Sequence, residues 1–160
     1  MDFHQVYDRY APAVQRFAFW LCGDVHLAQD LTSETFVRAW LRIDTLRQPT
    51  LRSYLFAITR NLYLEDRRKH RRQVELAENL PASLVSPLVA LEQAEQFASA
   101  GQALSQLGQR ERTALLLRAV EQMSYAEIAA ALGLSLSTAK VVVHRARLKL
   151  LLARQQLEEK

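Results

Sequence analysis

The stretch LGLSLSTAKVVVHRARLKL, residues 132–150, has the pattern of the second half of a helix-turn-helix. Gly133 supplies the permissive backbone that a tight turn between two helices requires. Ser135 is a preferred N-cap residue for the helix that follows. That helix carries an apolar stripe with spacings of four, three and four residues, formed by Ala139, Val143, Ala146 and Leu150. The stretch therefore predicts an amphipathic helix directly after a tight turn.

The residues before this stretch complete the motif. Ser124 and Glu127 form the S-x-x-E pattern of a capping box, which marks the start of a helix. Ile128, Ala129 and Leu132 give that first helix a buried face. Two short helices separated by a glycine turn are therefore predicted over residues 124–150.

The side of the second helix that faces away from its apolar stripe is basic and holds no acidic residue. It consists of Lys140, His144, Arg145, Arg147 and Lys149. One packed face and one basic face after a short turn fit a recognition helix in the major groove of DNA. The alternative is an ordinary packed helix pair whose basic face is only solvated.

Three consecutive valines interrupt this basic helix. Val143 belongs to the apolar stripe, whereas Val141 and Val142 lie off it. Three interpretations stay open for these two residues. They contact thymine methyl groups, they form an exposed apolar patch for a protein partner, or the buried stripe is broader than the four-residue pattern indicates.

The composition is that of a globular, helix-favouring protein with a basic balance. Hydrophobic residues make up 49% of the 160 residues, and glycine and proline number four each. The net charge of +4 and the pI of about 9.5 suit an acidic partner such as nucleic acid. No apolar run approaches the ~18 residues that a membrane span needs, and the first residues lack the order of a signal peptide. We expect a soluble cytoplasmic protein without direct membrane insertion.

Cysteine and histidine do not indicate a metal site or a disulfide. Cys22 is the only cysteine, so an intrachain disulfide is excluded, and it is either a small buried hydrophobe or a redox sensor. The four histidines are scattered, without metal-ligand spacing. No glycine-rich phosphate loop and no nucleophile with a partnered base is present. We predict no metal, no cofactor, no small-molecule substrate and no enzymatic activity.

Helical periodicity fills the segments between the glycines and prolines. It predicts helices over about Val25–Leu41, with Trp40 in the buried stripe, and over about Arg52–Arg71. From residue 73 to 100 the chain has four glutamates and neither lysine nor arginine, which is typical of a linker. We predict an all-α fold of two small helical domains joined by a flexible linker, with the helix-turn-helix in the second. The domains are residues 1–72 and 92–160, and the linker is 73–91.

These features together resemble a known family. The chain is similar to sigma-70-type transcription initiation factors of the small two-domain, extracytoplasmic-function group. The resemblance covers almost the whole length in the same order. It rests on DLTSETFVRAW (30–40), LRSYLFAITRNLYLEDRRKHRR (51–72) and the segment from ALSQL to the end of the helix-turn-helix (103–150).

The resemblance implies a mechanism and partners. The protein would bind core RNA polymerase and direct it to promoters, and the polymerase would perform the chemistry. The first domain would read and open the minus-10 element, and the second would read the minus-35 element. The resemblance also implies an anti-sigma protein as inhibitor. An anti-sigma protein that is anchored in the membrane is one form that this inhibitor takes in the family.

The resemblance assigns candidate residues in the first domain. Asp30, Glu34 and Arg38 match the surface that docks on the polymerase, and their spacing of four puts them on one side of a helix. The loop 42–51 and the helix start after it match the part that captures a flipped minus-10 base. The matching minus-10 residues are Tyr54, Arg60, Asn61, Arg67 and Arg68. Phe56 and Tyr63 are further candidates for stacking, and we expect two of the three aromatic residues to be core instead.

In the second domain the resemblance assigns the minus-35 face. Its residues are Thr138, Lys140, Val141, His144, Arg145 and Arg147. Val141 and Val142 stand where the family commonly has small polar and basic residues. This departure predicts an unusual minus-35 preference or a weaker contact there.

Two other functions explain part of the sequence. A stand-alone helix-turn-helix regulator explains the C-terminal half but leaves the 30–40 helix and the basic cluster at 67–72 without a role. A sigma-like adaptor that binds only protein has the valines as its best support.

Overall fold

A computed structural model of the chain describes residues 2–42, 50–76 and 100–159, apart from the side chains of 72–76. The chain divides into two packed units, Met1–Ser86 and Pro87–Lys160. Every regular element within the described ranges is a helix, which confirms the all-α prediction. The predicted linker start at residue 73 was wrong, because the last helix of the N-terminal unit continues through its basic end to Leu76. The predicted loop residues 43–49 and the linker residues 77–91 lie outside the described ranges.

The N-terminal unit contains three helices: α1, Phe3–Cys22; α2, Val25–Leu41; and α3, Leu51–Leu76. α1 ends at Gly23, whose φ of 73° lies in the left-handed region that favours glycine. Asp24 then caps α2, because its carboxylate accepts from the backbone N–H groups of His26 at 2.8 Å and Leu27 at 3.2 Å. The chain therefore reverses direction within two residues, and α1 and α2 pack against each other.

The core of the N-terminal unit is aromatic. The rings of Phe17 on α1 and Phe56 on α3 meet edge to face with centroids 5.0 Å apart, and both are buried. Trp40, which we placed in the buried stripe of α2, is 47% exposed. Its ring meets that of Phe3 edge to face at 5.0 Å, at the rim of the core. The prediction for Trp40 was wrong because its position lies at the edge of the stripe, where a large ring reaches the surface.

α2 and α3 are joined by a buried pair of hydroxyl groups. The Oγ1 atoms of Thr35 and Thr59 lie 2.9 Å apart, and both residues are fully buried. Each hydroxyl also lies within hydrogen-bonding distance of a carbonyl one turn earlier in its own helix, Leu31 O at 2.7 Å and Leu55 O at 2.8 Å. The two hydroxyl groups have only two protons for these three contacts. One threonine therefore donates to the other across the interface, while the other donates to the carbonyl in its own helix.

The C-terminal unit contains a helical segment at 100–105 and three further helices: α4, Gln109–Ala119; α5, Tyr125–Leu132; and α6, Leu136–Glu158. Ser124 and Glu127 form both halves of the predicted capping box, at 3.1 and 3.2 Å. α5 ends at Gly133, whose φ is 67°. Ser135 caps α6 by accepting from the Thr138 N–H at 3.2 Å. α5 and α6 meet at 98°, which confirms the predicted helix-turn-helix.

No single helix within the described ranges is long and apolar enough to cross a membrane. Of the helices in these ranges, only α5 and α6 taken together, as a pair bent by 98°, reach the length and apolar composition of a membrane span.

The buried face of α6 is broader than the predicted stripe. Ala139, Val143 and Ala146 are buried as expected, and Val142 is buried as well, with an exposed fraction of 3%. Successive residues lie about 100° apart around a helix, so burial of both Val142 and Val143 requires a buried arc of about that width. Val141, a further 100° around the helix, is 46% exposed. The broader-stripe interpretation is therefore correct for Val142 and wrong for Val141.

The threonine pair predicts non-additive mutations. Thr35→Val or Thr59→Val alone should each lower the free energy of unfolding by about 1 kcal/mol, because the remaining hydroxyl loses its cross-helix partner. The double variant should cost clearly less than the sum of the two, since no hydroxyl is then left in the interface. Denaturant unfolding of the four proteins measures this coupling, and strictly additive costs would contradict it.

The two adjacent valines are a matched pair for a stability test. Val142→Asn should lower the free energy of unfolding of the C-terminal unit by roughly 2–4 kcal/mol, because it buries an amide among apolar side chains. Val141→Asn should change it by no more than about 0.5 kcal/mol. Valine and asparagine have similar helix propensities, so neither substitution changes the intrinsic stability of the helix much. Equal losses for the two variants would show that the buried arc has been placed wrongly.

Candidate nucleic-acid interfaces

α2 presents a row of charged side chains on its solvent side. Asp30, Glu34 and Arg38 are all exposed there, as their spacing predicted. The Arg38 Nε lies 3.2 Å from Glu34 Oε1, and its Nη2 lies 3.6 Å from Glu65 Oε2 on α3. These pairs are about half exposed, so they orient the side chains more than they stabilise the fold.

Apolar residues lie within this charged row. Val37 is 53% exposed and Leu41 is 77% exposed. Residues three and four positions apart lie on the same side of a helix, which places Val37 beside Glu34 and Leu41 beside Arg38. We call Asp30, Glu34, Val37, Arg38 and Leu41 the α2 face. Sequence reasoning named only its charged members, although the same spacing rule also identifies Val37 and Leu41.

A groove of about 520 Å³ lies between α2 and α3. Its lining residues combine two cations, an aromatic ring, apolar side chains, an amide and a carboxylate: Arg38, Leu41, Arg42, Tyr54, Ala57, Ile58, Asn61 and Glu65. We call it the α2–α3 groove. It brings together Tyr54 and Asn61 of the predicted minus-10 set and places Arg38 of the α2 face at its wall.

The predicted minus-10 residues occupy two sides of α3. Tyr54, Asn61 and Arg68 are seven residues apart and follow the side that carries the groove. Arg60 and Arg67, also seven apart, lie on another side and do not line the groove.

Tyr54 is the only one of the three aromatic candidates with substantial access to solvent. Phe56 and Tyr63 are buried in the core, as we expected for two of the three. The Arg67 guanidinium lies 5.9 Å from the centroid of the Tyr63 ring, and its Nη1 donates to the Tyr63 hydroxyl at 3.3 Å. Tyr63 therefore positions Arg67 and does not offer a free stacking face.

The exposed side of α6 is basic, as predicted. Lys140, His144, Arg145 and Arg147 are exposed there together with Val141. Thr138 is half-buried, and its Oγ1 accepts from the Ser135 hydroxyl at 2.8 Å. The six predicted minus-35 residues therefore form one surface that starts at the capped N-terminus of α6.

Two interactions position this surface, and sequence reasoning missed both. The Lys149 Nζ lies 2.9 Å from both carboxylate oxygens of Glu111 on α4, so Lys149 ties α6 to α4. The Arg118 guanidinium stacks 4.4 Å from the centroid of the Tyr125 ring and donates to the Met123 carbonyl at 2.9 Å. Arg118 thus stabilises the turn between α4 and α5.

Within the described ranges, no group of three or more histidine, cysteine, aspartate or glutamate side chains is placed to hold a metal ion. Cys22 is partly buried, and its Sγ donates to the Asp24 carbonyl at 3.3 Å. Burial raises the pKa of the Cys22 thiol. The thiolate is the reactive form, so this environment favours the small-hydrophobe interpretation over the redox sensor.

Comparison with known proteins gives matches over both units. A family model described as Sigma-70 region 2 matches residues 6–73, and one described as Sigma-70, region 4 matches residues 98–150. The ECF RNA polymerase sigma factor SigM of Bacillus subtilis is 31% identical over 94% of this chain and 93% of its own length. The ECF RNA polymerase sigma factor EcfG of Rhodopseudomonas palustris is 37% identical over 87% of this chain and 77% of its own length.

A solved structure has the same fold. It is the sigma factor RpoE of Bartonella quintana, crystallised in complex with the anti-sigma factor NepR. Its TM-score is 0.79 at 28% identity, over 96% of this chain and 97% of that chain. Because the matches span both helical units in the same order, the chain belongs to the sigma-70 family and, within it, to the ECF sigma factors, which bind core RNA polymerase and direct it to promoter DNA.

Proposed function

We propose that residues 1–72 form the part of this sigma factor that binds polymerase and opens the minus-10 element. The α2 face is the proposed polymerase contact. It combines opposite charges with the exposed side chains of Val37 and Leu41, and such a mixed surface suits a helical protein partner. The observation that carries the assignment is that Arg38 belongs both to this face and to the wall of the α2–α3 groove. Polymerase and opened DNA would then meet on adjacent surfaces of one packed unit.

The proposed minus-10 contacts follow from the two sides of α3. Tyr54 offers a partly exposed ring for base stacking, and Asn61 offers an amide for a base edge. Arg60, Arg67 and Arg68 lie further around or along α3, where they would hold phosphates and fix the position of the strand.

Residues 92–160 form the proposed minus-35 reader, and the connecting linker is proposed to follow the end of α3 at Leu76. α6 enters the major groove with Thr138 and Lys140 near its capped N-terminus, and His144, Arg145 and Arg147 follow on the basic side. Val141 is exposed among them, so it is placed to touch a thymine methyl group. Val142 is buried and has no proposed contact with DNA.

An anti-sigma protein is the proposed regulator. The Bartonella quintana relative was crystallised with an anti-sigma factor. This chain has exposed apolar side chains that such a partner would cover, on the α2 face and also on the second half of α6, where Leu148, Leu151 and Leu152 are exposed. A protein that covered the α2 face would block the proposed polymerase contact.

The family consists of regulatory DNA-binding proteins. We propose that this chain performs no reaction of its own, needs no cofactor and acts in the cytoplasm, where polymerase and promoters are. A stand-alone regulator would bind its operator tightly without polymerase, and an adaptor would bind polymerase without directing initiation. The exposed basic face of α6 favours promoter binding over the adaptor.

Transcription in vitro tests the proposed function. Purified core polymerase, with and without this protein, is incubated with a pool of genomic fragments, and start sites are mapped. We expect new starts that share minus-35 and minus-10 sequences, because the protein contributes both contacts. Binding to core without new starts would support the adaptor, and operator binding without core would support the stand-alone regulator.

The α2 face gives a second prediction. Val37→Asp should weaken binding to core polymerase by roughly tenfold or more, because it places a charge in the middle of an apolar contact. Val37 is exposed, so the thermal unfolding midpoint should stay close to that of the wild type. The matched control is Gln15→Asp, an equal charge change at an exposed position of α1 away from the α2 face. Equal affinities for the two variants would exclude the α2 face as the polymerase contact.

A further inference from the structure

The second half of α6 carries exposed leucines that the core of the C-terminal unit does not use. Leu148, Leu151 and Leu152 are 49%, 58% and 60% exposed. They lie on the side of the helix away from Ala146 and Ala153, which are buried. Exposed leucines clustered on one side of a helix are typical of a surface that another protein covers.

Two of these leucines belong to a longer stripe along α6, which we call the α6 stripe. Its residues follow one another with spacings of three, four, three and four: Arg145, Leu148, Leu152, Gln155 and Glu159. All five are exposed, and Glu159 follows the last residue of α6 with a helical backbone. Alternating spacings of three and four keep residues on one side of a helix and are typical of a helix that pairs with another helix along its length.

The charges of the α6 stripe are placed symmetrically about its centre. Arg145 lies seven residues before Leu152 and Glu159 lies seven residues after it, about 10.5 Å along the helix in each direction. Arg147 and Glu158 repeat this order on the flank of the stripe, with the basic residue before Leu152 and the acidic residue after it. The stripe is therefore basic at one end, apolar at its centre and acidic at the other end.

This charge order is complementary to itself in one direction only. If a second α6 runs antiparallel, with the two Leu152 side chains adjacent, the Arg145 of each copy lies opposite the Glu159 of the other. If the second α6 runs parallel, Arg145 lies opposite Arg145 and Glu159 opposite Glu159. Opposite charges attract and like charges repel across such a contact, so the charges favour the antiparallel arrangement.

Two other exposed cations in this part of α6 do not oppose the arrangement. The Lys149 Nζ lies 2.9 Å from both carboxylate oxygens of Glu111, so its charge is neutralised within its own unit. Arg154 lies two residues after Leu152 and therefore about 160° around the helix axis, where it faces away from the stripe.

We propose that the α6 stripe is a self-association surface, and that its partner is the same stripe of a second copy of this chain packed antiparallel. Leu148 and Leu152 of the two copies form the apolar centre of the contact, with Leu151 at its edge. Two pairs between Arg145 and Glu159 close its ends. A contact of this small size suits a weak, reversible dimer whose population rises with protein concentration.

The dimer has a consequence for the proposed function. Arg145 is one of the predicted minus-35 residues, so pairing of two copies covers part of that surface. An anti-sigma protein that covered the same leucines would compete with the second copy. Self-association itself goes beyond the proposed function and does not depend on it, whereas this consequence rests on it.

Sedimentation equilibrium of the full chain, without polymerase or DNA, tests the proposal. The mass of the wild type should rise with concentration from 18.3 kDa toward twice that value. Leu152→Asp should move this rise to at least roughly tenfold higher concentration, because it places two carboxylates side by side at the centre of the contact. Leu136→Asp is the matched control and should associate like the wild type. Leu136 is 48% exposed on the same helix, about 160° around the axis from Leu152.

A charge exchange tests the antiparallel direction. Arg145→Glu alone and Glu159→Arg alone should each weaken self-association by roughly tenfold, because each puts like charges opposite one another at both ends of the contact. The variant with both substitutions should associate like the wild type, since the opposite charges face each other again. Loss of folding cannot produce this rescue, and circular dichroism verifies that each variant is helical.

The outcomes separate this inference from the proposed function, because the measurement contains neither polymerase nor promoter. A wild-type chain that keeps the mass of one copy at every concentration overturns the proposal. Association that is unchanged in Leu152→Asp shows that the copies meet elsewhere and overturns it as well. If the double exchange fails to restore association, the antiparallel pairing is wrong.

Discussion

The packing of α2 against α3 is the constraint on which the N-terminal unit depends. The fully buried hydroxyls of Thr35 and Thr59 meet at 2.9 Å, and a buried hydroxyl pair tolerates less sliding than an apolar contact because its geometry is directional. This contact fixes the register of the two helices. The register in turn places Arg38 within 3.6 Å of Glu65 and opens the groove between them. The proposed polymerase contact and the α2–α3 groove are thus parts of one packed body, so docking of the first would present the second in a defined orientation.

In the C-terminal unit, helix caps and side-chain contacts between helices fix the arrangement of the helices. Its helices α4 and α5 are short, and short helices depend on tertiary packing more than on propensity. The capping box of α5, the left-handed Gly133 and the Ser135 cap set the turn. The contact from Lys149 to Glu111 and the Arg118 stack on Tyr125 hold α6 and α5 to α4. One lysine of the basic face therefore serves the fold, and the proposed DNA surface consists of the residues nearer the N-terminus of α6.

Much of the fold was predictable, because local patterns determine it. The capping box, the glycine turn and the bounds of α2 follow from residues close in sequence, and the structure confirms them. The burial of Val142 was not predictable from a stripe of four residues, since the width of a buried arc depends on what packs against the helix. The Lys149 contact was missed because Glu111 lies 38 residues away. The lining residues of the groove were only partly predicted. Tyr54 and Asn61 were named from the family resemblance. Glu65 was not, because it is an acid within a basic helix and only the fold shows that it lines the same groove.

A structure of the holoenzyme on a promoter opened at the minus-10 element tests the proposed roles of the N-terminal unit most directly. We predict that Val37 and Leu41 are buried against polymerase while an unpaired base stacks on Tyr54 between α2 and α3. Such a structure would show that the two surfaces of the N-terminal unit act together. A structure in which polymerase contacts another side of α2, or in which the groove is empty while the strand is open, would contradict these roles of the α2 face and the α2–α3 groove.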